Sequence, residues 1–120
     1  MDVINFKPIL KAVLSQVGGI AKTRTDYPTI WTTLPTAVYR TTQTSHKHTT
    51  NGDEIMTKWD FVIEIYSTDS LSDITEEVRK KLNAIGFRGN IKDANGEGLI
   101  RSILSFSGVI DNETRIVYRP

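Results

Sequence analysis

Residues 57–67, TKWDFVIEIYS, place the strongest constraint on the fold, because their side chains alternate between apolar and polar. Trp59, Phe61, Ile63 and Ile65 fall on one side of an extended chain, and most of the residues between them are polar. A period of two is the pattern of a β-strand with one face buried and one face open. The sequence therefore predicts a strand in a sheet that packs its apolar face against a core.

A second strand precedes this one and forms a hairpin with it. Residues 36–45, TAVYRTTQTS, are rich in β-branched and aromatic side chains, which favour strands. Between the two strands, Asn51-Gly52 is a dipeptide typical of tight hairpin turns. The intervening stretch HKHTTNGDE, residues 46–54, is therefore predicted to be the protruding tip of a long β-hairpin.

Two amphipathic helices lie before and after this hairpin. Between residues 5 and 17, apolar side chains recur with helical spacing, and Gly18-Gly19 ends the pattern. Between residues 70 and 85, a second apolar stripe is followed by Gly86, and glycine commonly ends helices. Each helix has one apolar side, so both are predicted to pack on the core face of the sheet.

The remaining segments complete the predicted fold. Residues 87–98, FRGNIKDANGEG, are predicted to form a turn-rich loop, and residues 99–110 and 114–119 are predicted to form two strands. With a short extended piece after the first helix, the order is α-β-β-β-α-β-β. This order predicts a single α+β domain over residues 1–120, with a mostly antiparallel sheet of four to five strands and two helices packed on one face.

The strand predicted from residue 99 carries apolar side chains on both of its faces. Ile100, Leu104 and Phe106 lie on one face, and further apolar residues, Leu99, Ile103 and Val109, lie on the other. A sheet covered by helices on one face needs only one apolar face. The surplus predicts that another subunit covers the second face or an edge. Coverage by a loop or by the first helix of the same chain is the alternative.

The composition excludes several classes of site. The chain has no cysteine, which excludes disulfides, thiolate nucleophiles, cysteine zinc sites and iron–sulfur clusters. The formal net charge of +1 lacks the basic surplus of a dedicated nucleic-acid binder, although a small sum is compatible with a local basic patch. The N-terminus has no apolar run long enough for a secretion signal or a membrane span, so we expect a cytoplasmic protein.

The histidines are candidates for a metal site, but the pattern around them is weak. His46 and His48 would share one face of a strand. A catalytic zinc needs at least three protein ligands, and Asp53 and Glu54 lie beyond the Asn-Gly turn without a fixed register. There is also no nucleophile elbow and no phosphate-binding loop. We therefore expect no metal, no cofactor and no enzymatic activity.

A small nucleic-acid-binding module is an alternative interpretation. Arg40, Lys58 and Arg115 are predicted to lie on strands, close to aromatic residues. An exposed sheet with aromatic side chains can stack bases. However, the chain lacks the sequence pattern of the common RNA-binding sheets, and Trp59 belongs to the apolar face. Packing in the core is the better interpretation of Trp59.

Four stretches carry a family resemblance: LPTAVYR, FVIEIYSTD, VRKKLNAIGF and SGVIDNETRIVY. Together with the leading helix that ends in Gly-Gly, their order resembles that of the tail-completion proteins of long-tailed bacteriophages, also called tail-terminator or head–tail joining proteins. The resemblance runs from about Phe6 to Tyr118, and it rests on patterns of apolar and aromatic residues.

The resemblance implies a virion structural protein that forms a homo-oligomer, a hexameric ring, at the head–tail interface. Such a ring ends the tail tube, contacts the tail-tube protein and the head connector proteins, and lets viral DNA pass through its channel. It would be assembled in the cytoplasm of the host bacterium, without a membrane. Another neck or tail component, such as a head-completion protein or a tube subunit, is the alternative of the same class.

A ring also suggests where its contacts lie. Head-to-tail contacts bury one patch of each subunit against a different patch of the next, which accounts for the apolar surplus on the late strand. The candidate interface residues are Arg40, Leu99, Arg101, Ile103 and Arg115. The candidate channel or docking loop contains His46, Lys47, His48, Asp53 and Glu54.

Overall fold

A computed structural model describes residues 3–28, 33–48, 54–96 and 98–119, with the side chain of His48 excepted. It contains two helices and six strands. In chain order the elements are α1 (Lys7–Ser15), β1 (Lys22–Arg24), β2 (Thr36–His48), β3 (Glu54–Ser67), α2 (Ser72–Ile85), β4 (Arg88–Asp93), β5 (Ile100–Asp111) and β6 (Val117–Tyr118).

The strands form one sheet in the order β1-β2-β3-β5-β4, and β6 pairs with the far end of β5. All neighbouring strands are antiparallel except β1 and β2, which are parallel. The predicted α+β class and the mostly antiparallel sheet are confirmed. The first seven elements follow the predicted order α-β-β-β-α-β-β, but the sheet has six strands where four to five were predicted.

The additional strand is β4, which lies inside the segment predicted to be a loop. Residues Arg88–Asp93 pair with Ser102–Ser107 of β5, from Arg88↔Ser107 to Asp93↔Ser102. The prediction of a loop over this whole segment was wrong because β4 is an edge strand with a single partly buried apolar residue, Ile91. Its pairing comes from backbone hydrogen bonds to β5, which leave no alternating pattern in the sequence.

Both helices pack against the same face of the sheet, and aromatic rings form the centre of this layer. Phe6, at the start of α1, lies 4.5 Å from Phe87, 5.5 Å from Phe61 and 6.1 Å from Trp59, measured between ring centroids. Phe61 in turn stacks on Phe106 of β5 at 5.9 Å. The predicted alternation of β3 is confirmed, since Trp59, Phe61, Ile63 and Ile65 are all buried. Other buried residues of this core are Leu10, Val13, Leu14, Val17, Ala37, Tyr39, Leu71, Val78, Leu82, Leu104 and Ile110.

Only one of the two helices ends at its predicted glycine. α2 is followed directly by Gly86, whose φ of +124° is a conformation that L side chains rarely adopt, so this predicted stop is confirmed. α1 is shorter than predicted, at Lys7–Ser15, and it ends before Gly18-Gly19. Asn5, two residues before α1, accepts a hydrogen bond from the Lys7 N–H at 3.1 Å.

The end of the sheet near the hairpin is held by Asn112. This side chain is buried; its Oδ1 accepts a hydrogen bond from the Ile4 N–H at 3.1 Å, and its Nδ2 donates to Thr57 Oγ1 at 3.1 Å. The residues that follow Asn112 form a turn, and the next strand, β6, begins only at Val117. The strand predicted from residue 114 is therefore too long, and Arg115 lies in the turn with a φ of +66°.

Gly89 allows β4 to lie close to β5, and its replacement tests this packing. A Cβ at this position would overlap the carbonyl oxygen of Ser105 and come within 2.7 Å of Phe106 Cα. Because both obstacles are backbone atoms, Gly89→Ala is expected to lower the free energy of unfolding by roughly 1–3 kcal/mol. Chemical denaturation measures the change.

Gly18 provides the matched control for this substitution. A Cβ at Gly18 would meet no atom within 4 Å, so we expect Gly18→Ala to change the free energy of unfolding by no more than about 0.5 kcal/mol. Equal stabilities of the Gly89→Ala and Gly18→Ala variants would contradict the close packing of β4 on β5.

Candidate assembly surface

The sheet face opposite the described helices is a candidate assembly surface. Residues that are paired directly across neighbouring strands project to the same face. Three successive rows therefore cross this open face from β2 through β3 and β5 to β4: Val38–Glu64–Ile103–Lys92, Arg40–Val62–Ser105–Asn90 and Thr42–Asp60–Ser107–Arg88. The described helices pack on the other side of the sheet. A hollow of about 630 Å³ lies over these rows.

Glu64 organises one end of the open face. Its two carboxylate oxygens accept hydrogen bonds from the Tyr27 hydroxyl and from Arg101 Nη2, and the latter contact is an ion pair. The Arg40 guanidinium lies 4.9 Å from the centre of the Tyr27 ring, and that of Arg101 lies 5.6 Å from the centre of the Tyr66 ring. The Glu64 cluster, as we name these five residues, joins β2, β3 and β5 to the segment after β1.

The cluster changes the acidity of its tyrosines. The hydrogen bond to Glu64 is the main cause that raises the pKa of Tyr27 to about 12, because ionisation would place a phenolate against a carboxylate. Burial raises the pKa of Tyr66, and the neighbouring Glu64 charge adds to this effect. The hydrogen bond to Glu64 likewise raises the pKa of Arg101. All three groups thus keep their protonated forms at neutral pH, and the cluster has fixed hydrogen-bond donors.

Apolar side chains lie between the charged groups of the open face. Val62, in the middle row, is 41% exposed, which is unusual for the centre of a sheet. Ile103, its diagonal neighbour on β5, is partly buried, whereas Val38 and Val109 are fully buried. Val62 and Ile103 thus form a small apolar patch with Arg40 and Arg101 beside it, and apolar side chains next to arginines are common in protein–protein contact surfaces.

The structure brings three of the five predicted interface residues onto this face. Arg40 lies there on β2, and Arg101 and Ile103 lie there on β5. Leu99 precedes β5 and forms an isolated bridge with Gly96, next to this end of the face. Arg115 does not join them, because the β5–β6 turn lies at the opposite end of β5, near the hairpin.

The hairpin residues are placed only in part. His46 and Lys47 are exposed at a break in the β2–β3 register, and the His48 backbone pairs with Glu54. Asp53 lies outside the described residues. Glu54 accepts hydrogen bonds from the hydroxyls of Ser45 and Thr57, so it holds the strands β2 and β3 together next to the hairpin tip. Its role as a docking residue stays a prediction.

Two kinds of residue on the open face were missed by sequence reasoning. Tyr27 lies before the predicted strand over residues 36–45, and no spacing in the sequence points to its contact with Glu64, 37 residues away. Arg88 and Asn90 belong to β4, the strand that was predicted to be a loop. Pro28, which follows Tyr27, indicates a break in regular structure, but it does not indicate a contact with β3.

The described ranges contain neither a cluster of metal ligands nor a membrane-spanning helix. No three His, Cys, Asp or Glu side chains of these ranges come together as metal ligands would. Neither of the two described helices is long and apolar enough to cross a membrane. A comparison of the chain with protein-family models and with curated proteins found no match.

The bond from Tyr27 to Glu64 can be tested through its effect on stability at high pH. The pKa of Tyr27 is about 12 in the folded protein against an ordinary value of 10.0, so folding holds this proton more tightly. The stabilisation is therefore complete below pH 10 and is lost as the pH rises through about 12. We expect the free energy of unfolding of Tyr27→Phe to fall less over this range than that of the wild type.

Tyr118→Phe is the control, because Tyr118 is similarly exposed, at 46% against 44% for Tyr27. Its stability should follow the wild-type pH profile. Parallel profiles for the wild type and Tyr27→Phe, from denaturation at each pH, would show that the Tyr27 hydroxyl has no special partner in the folded state.

Proposed function

We propose that this chain is a virion structural protein of a long-tailed bacteriophage. In this proposal its copies form a hexameric ring that ends the tail tube and joins the tail to the head. The ring binds the tail-tube protein on one side and the head connector proteins on the other, and viral DNA passes through its channel. The family resemblance of the sequence suggests this function, and the open sheet face supports it physically.

The single observation that carries the proposal is the combination of a helix-covered face and an open face on one sheet. The open face holds Val62 and Ile103 between Arg40 and Arg101, as a protein contact surface would. The helices lie on the other side, so a copy that covers the open face with its own helical side leaves its own open face free. Repetition of such a contact gives a closed ring or a filament.

A tube subunit is the closest alternative, and the length of the assembly separates the two. Heterologous contacts close into a ring when the rotation between neighbours divides a full turn, and otherwise they continue as a filament. A terminator should stop at one ring and cap added tubes, whereas a tube subunit should grow into long polymers. Two open faces stacked on each other would give a two-fold dimer instead, which would contradict both readings.

The experiment is light scattering behind a sizing column, with and without tail-tube protein, on the wild type and on Ile103→Glu. We expect the wild type to give one discrete ring, alone or on the tube end. Ile103→Glu should remain monomeric under the same conditions, because it would place a charged carboxylate in the small apolar patch of the contact. Circular dichroism verifies that the variant is folded.

Ile116→Glu is the matched control, since Ile116 is an exposed isoleucine in the β5–β6 turn, 51% accessible, and lies far along β5 from Arg101 and Ile103. It should assemble like the wild type. A folded wild-type chain that stays monomeric at high concentration and ignores tail tubes would overturn the proposed function. A ring that forms equally well with Ile103→Glu would exclude the open face as its contact.

A further inference from the structure

Positively charged side chains from two elements converge at the β1 edge of the sheet. Lys7 and Lys11 are one turn apart on α1, so they project from the same side of the helix. Lys22 and Arg24 are two residues apart on β1, so they too share a side. We name these four residues the basic strip.

Two adjoining hollows connect the members of the strip. One, of about 350 Å³, is lined by Lys11, Lys22 and Arg24 together with Thr23, Thr25, Asp26 and Tyr39. The other, of about 370 Å³, is lined by Lys7, Thr25, Tyr39, Arg40 and Thr41. The hollows share Thr25 and Tyr39. The strip therefore passes around the sheet edge, from α1 on the helical side to Lys22 and Arg24, which pair with Thr36 and Val38 and so project to the same face as Arg40.

The charges of the strip are not neutralised by the described part of the protein. The ion pairs there join Lys58 to Asp60, Arg79 to Glu76 and Arg101 to Glu64, and none involves the strip. Arg24 donates through Nε to the backbone carbonyl of Asp26, at 3.2 Å, which leaves its positive charge in place. Asp26 is the one carboxylate among the residues that line the two hollows.

The polar and charged side chains that line the two hollows favour a ligand other than a protein. The centre of a protein interface is usually apolar, but neither hollow is lined by an exposed apolar side chain, since Tyr39 is only 7% exposed. Instead, the hydroxyls of Thr23, Thr25 and Thr41 lie among the cations. Lys, Arg and Thr are the side chains with which proteins contact the phosphates of nucleic acids.

We propose that the basic strip binds the phosphodiester backbone of duplex DNA, without reading its sequence. Four cations that displace counterions give a salt dependence with a slope of about −3.6 in a plot of log K against log salt. Affinity should then fall roughly 100-fold between about 50 and 200 mM salt. Such binding is weak at physiological salt and is released easily.

The site goes beyond the proposed ring and does not depend on it, because it lies within a single chain. Fluorescence anisotropy with a short labelled duplex measures the binding, at protein concentrations where sizing shows the chain to be monomeric. The test variant is Lys11→Gln/Lys22→Gln, and the matched control is Lys80→Gln/Lys81→Gln on α2. Both remove two lysines, so both change the net charge equally.

We expect the Lys11→Gln/Lys22→Gln variant to bind at least about tenfold more weakly at low salt, with a slope that is smaller by roughly 2, and the control to bind like the wild type. Equal losses in the two variants would overturn the proposal, since only net charge would matter. A wild type that fails to bind DNA at about 50 mM salt would overturn it too, and would leave the ring proposal untouched. A test variant that binds DNA normally but no longer assembles would assign the strip to a protein contact instead.

Discussion

The packing of Phe6 against Phe61 and Phe87 is the interaction on which the rest of the structure depends. It joins three distant parts of the chain: the start of α1, the middle of β3 and the residue between α2 and β4. Aromatic rings bury large areas, so this contact fixes both helices on one side of the sheet. Because both helices pack on that side, neither of them covers the other face of the sheet. That face carries the polar residues, with Val62 and Ile103 among them, that form the candidate assembly surface.

The Glu64 cluster shows how that open face keeps its shape without a covering layer. Burying an unpaired carboxylate on the central strand β3 would cost free energy. Glu64 avoids this cost because Arg101 and Tyr27 both donate hydrogen bonds to it. The two arginines rest on tyrosine rings, which limits their freedom before any partner arrives. The face is thus prepared for binding, and its charges differ in kind from the unpaired lysines of the basic strip.

Sequence reasoning succeeded where a repeating pattern decides the structure. The alternation of β3 predicted its buried face, and Gly86 predicted the end of α2, since each depends on local geometry. It failed for β4, an edge strand with one partly buried apolar residue, and for Tyr27, whose partner is far away in the chain. It placed Arg40, Arg101 and Ile103 on the proper strands, but Arg115 could not be placed, because the length of the β5–β6 turn is not encoded by a spacing.

The most direct test of the central claim, that the open face is the assembly contact, uses the absence of cysteine from this chain. A single cysteine is introduced as Val62→Cys on the open face or as Ile116→Cys in the β5–β6 turn, both at exposed positions, 41% and 51%. The rate of maleimide labelling is then measured for the free chain and for the assembled ring. We predict that assembly slows labelling at position 62 and leaves position 116 unchanged. Equal labelling of position 62 in both states would contradict the account.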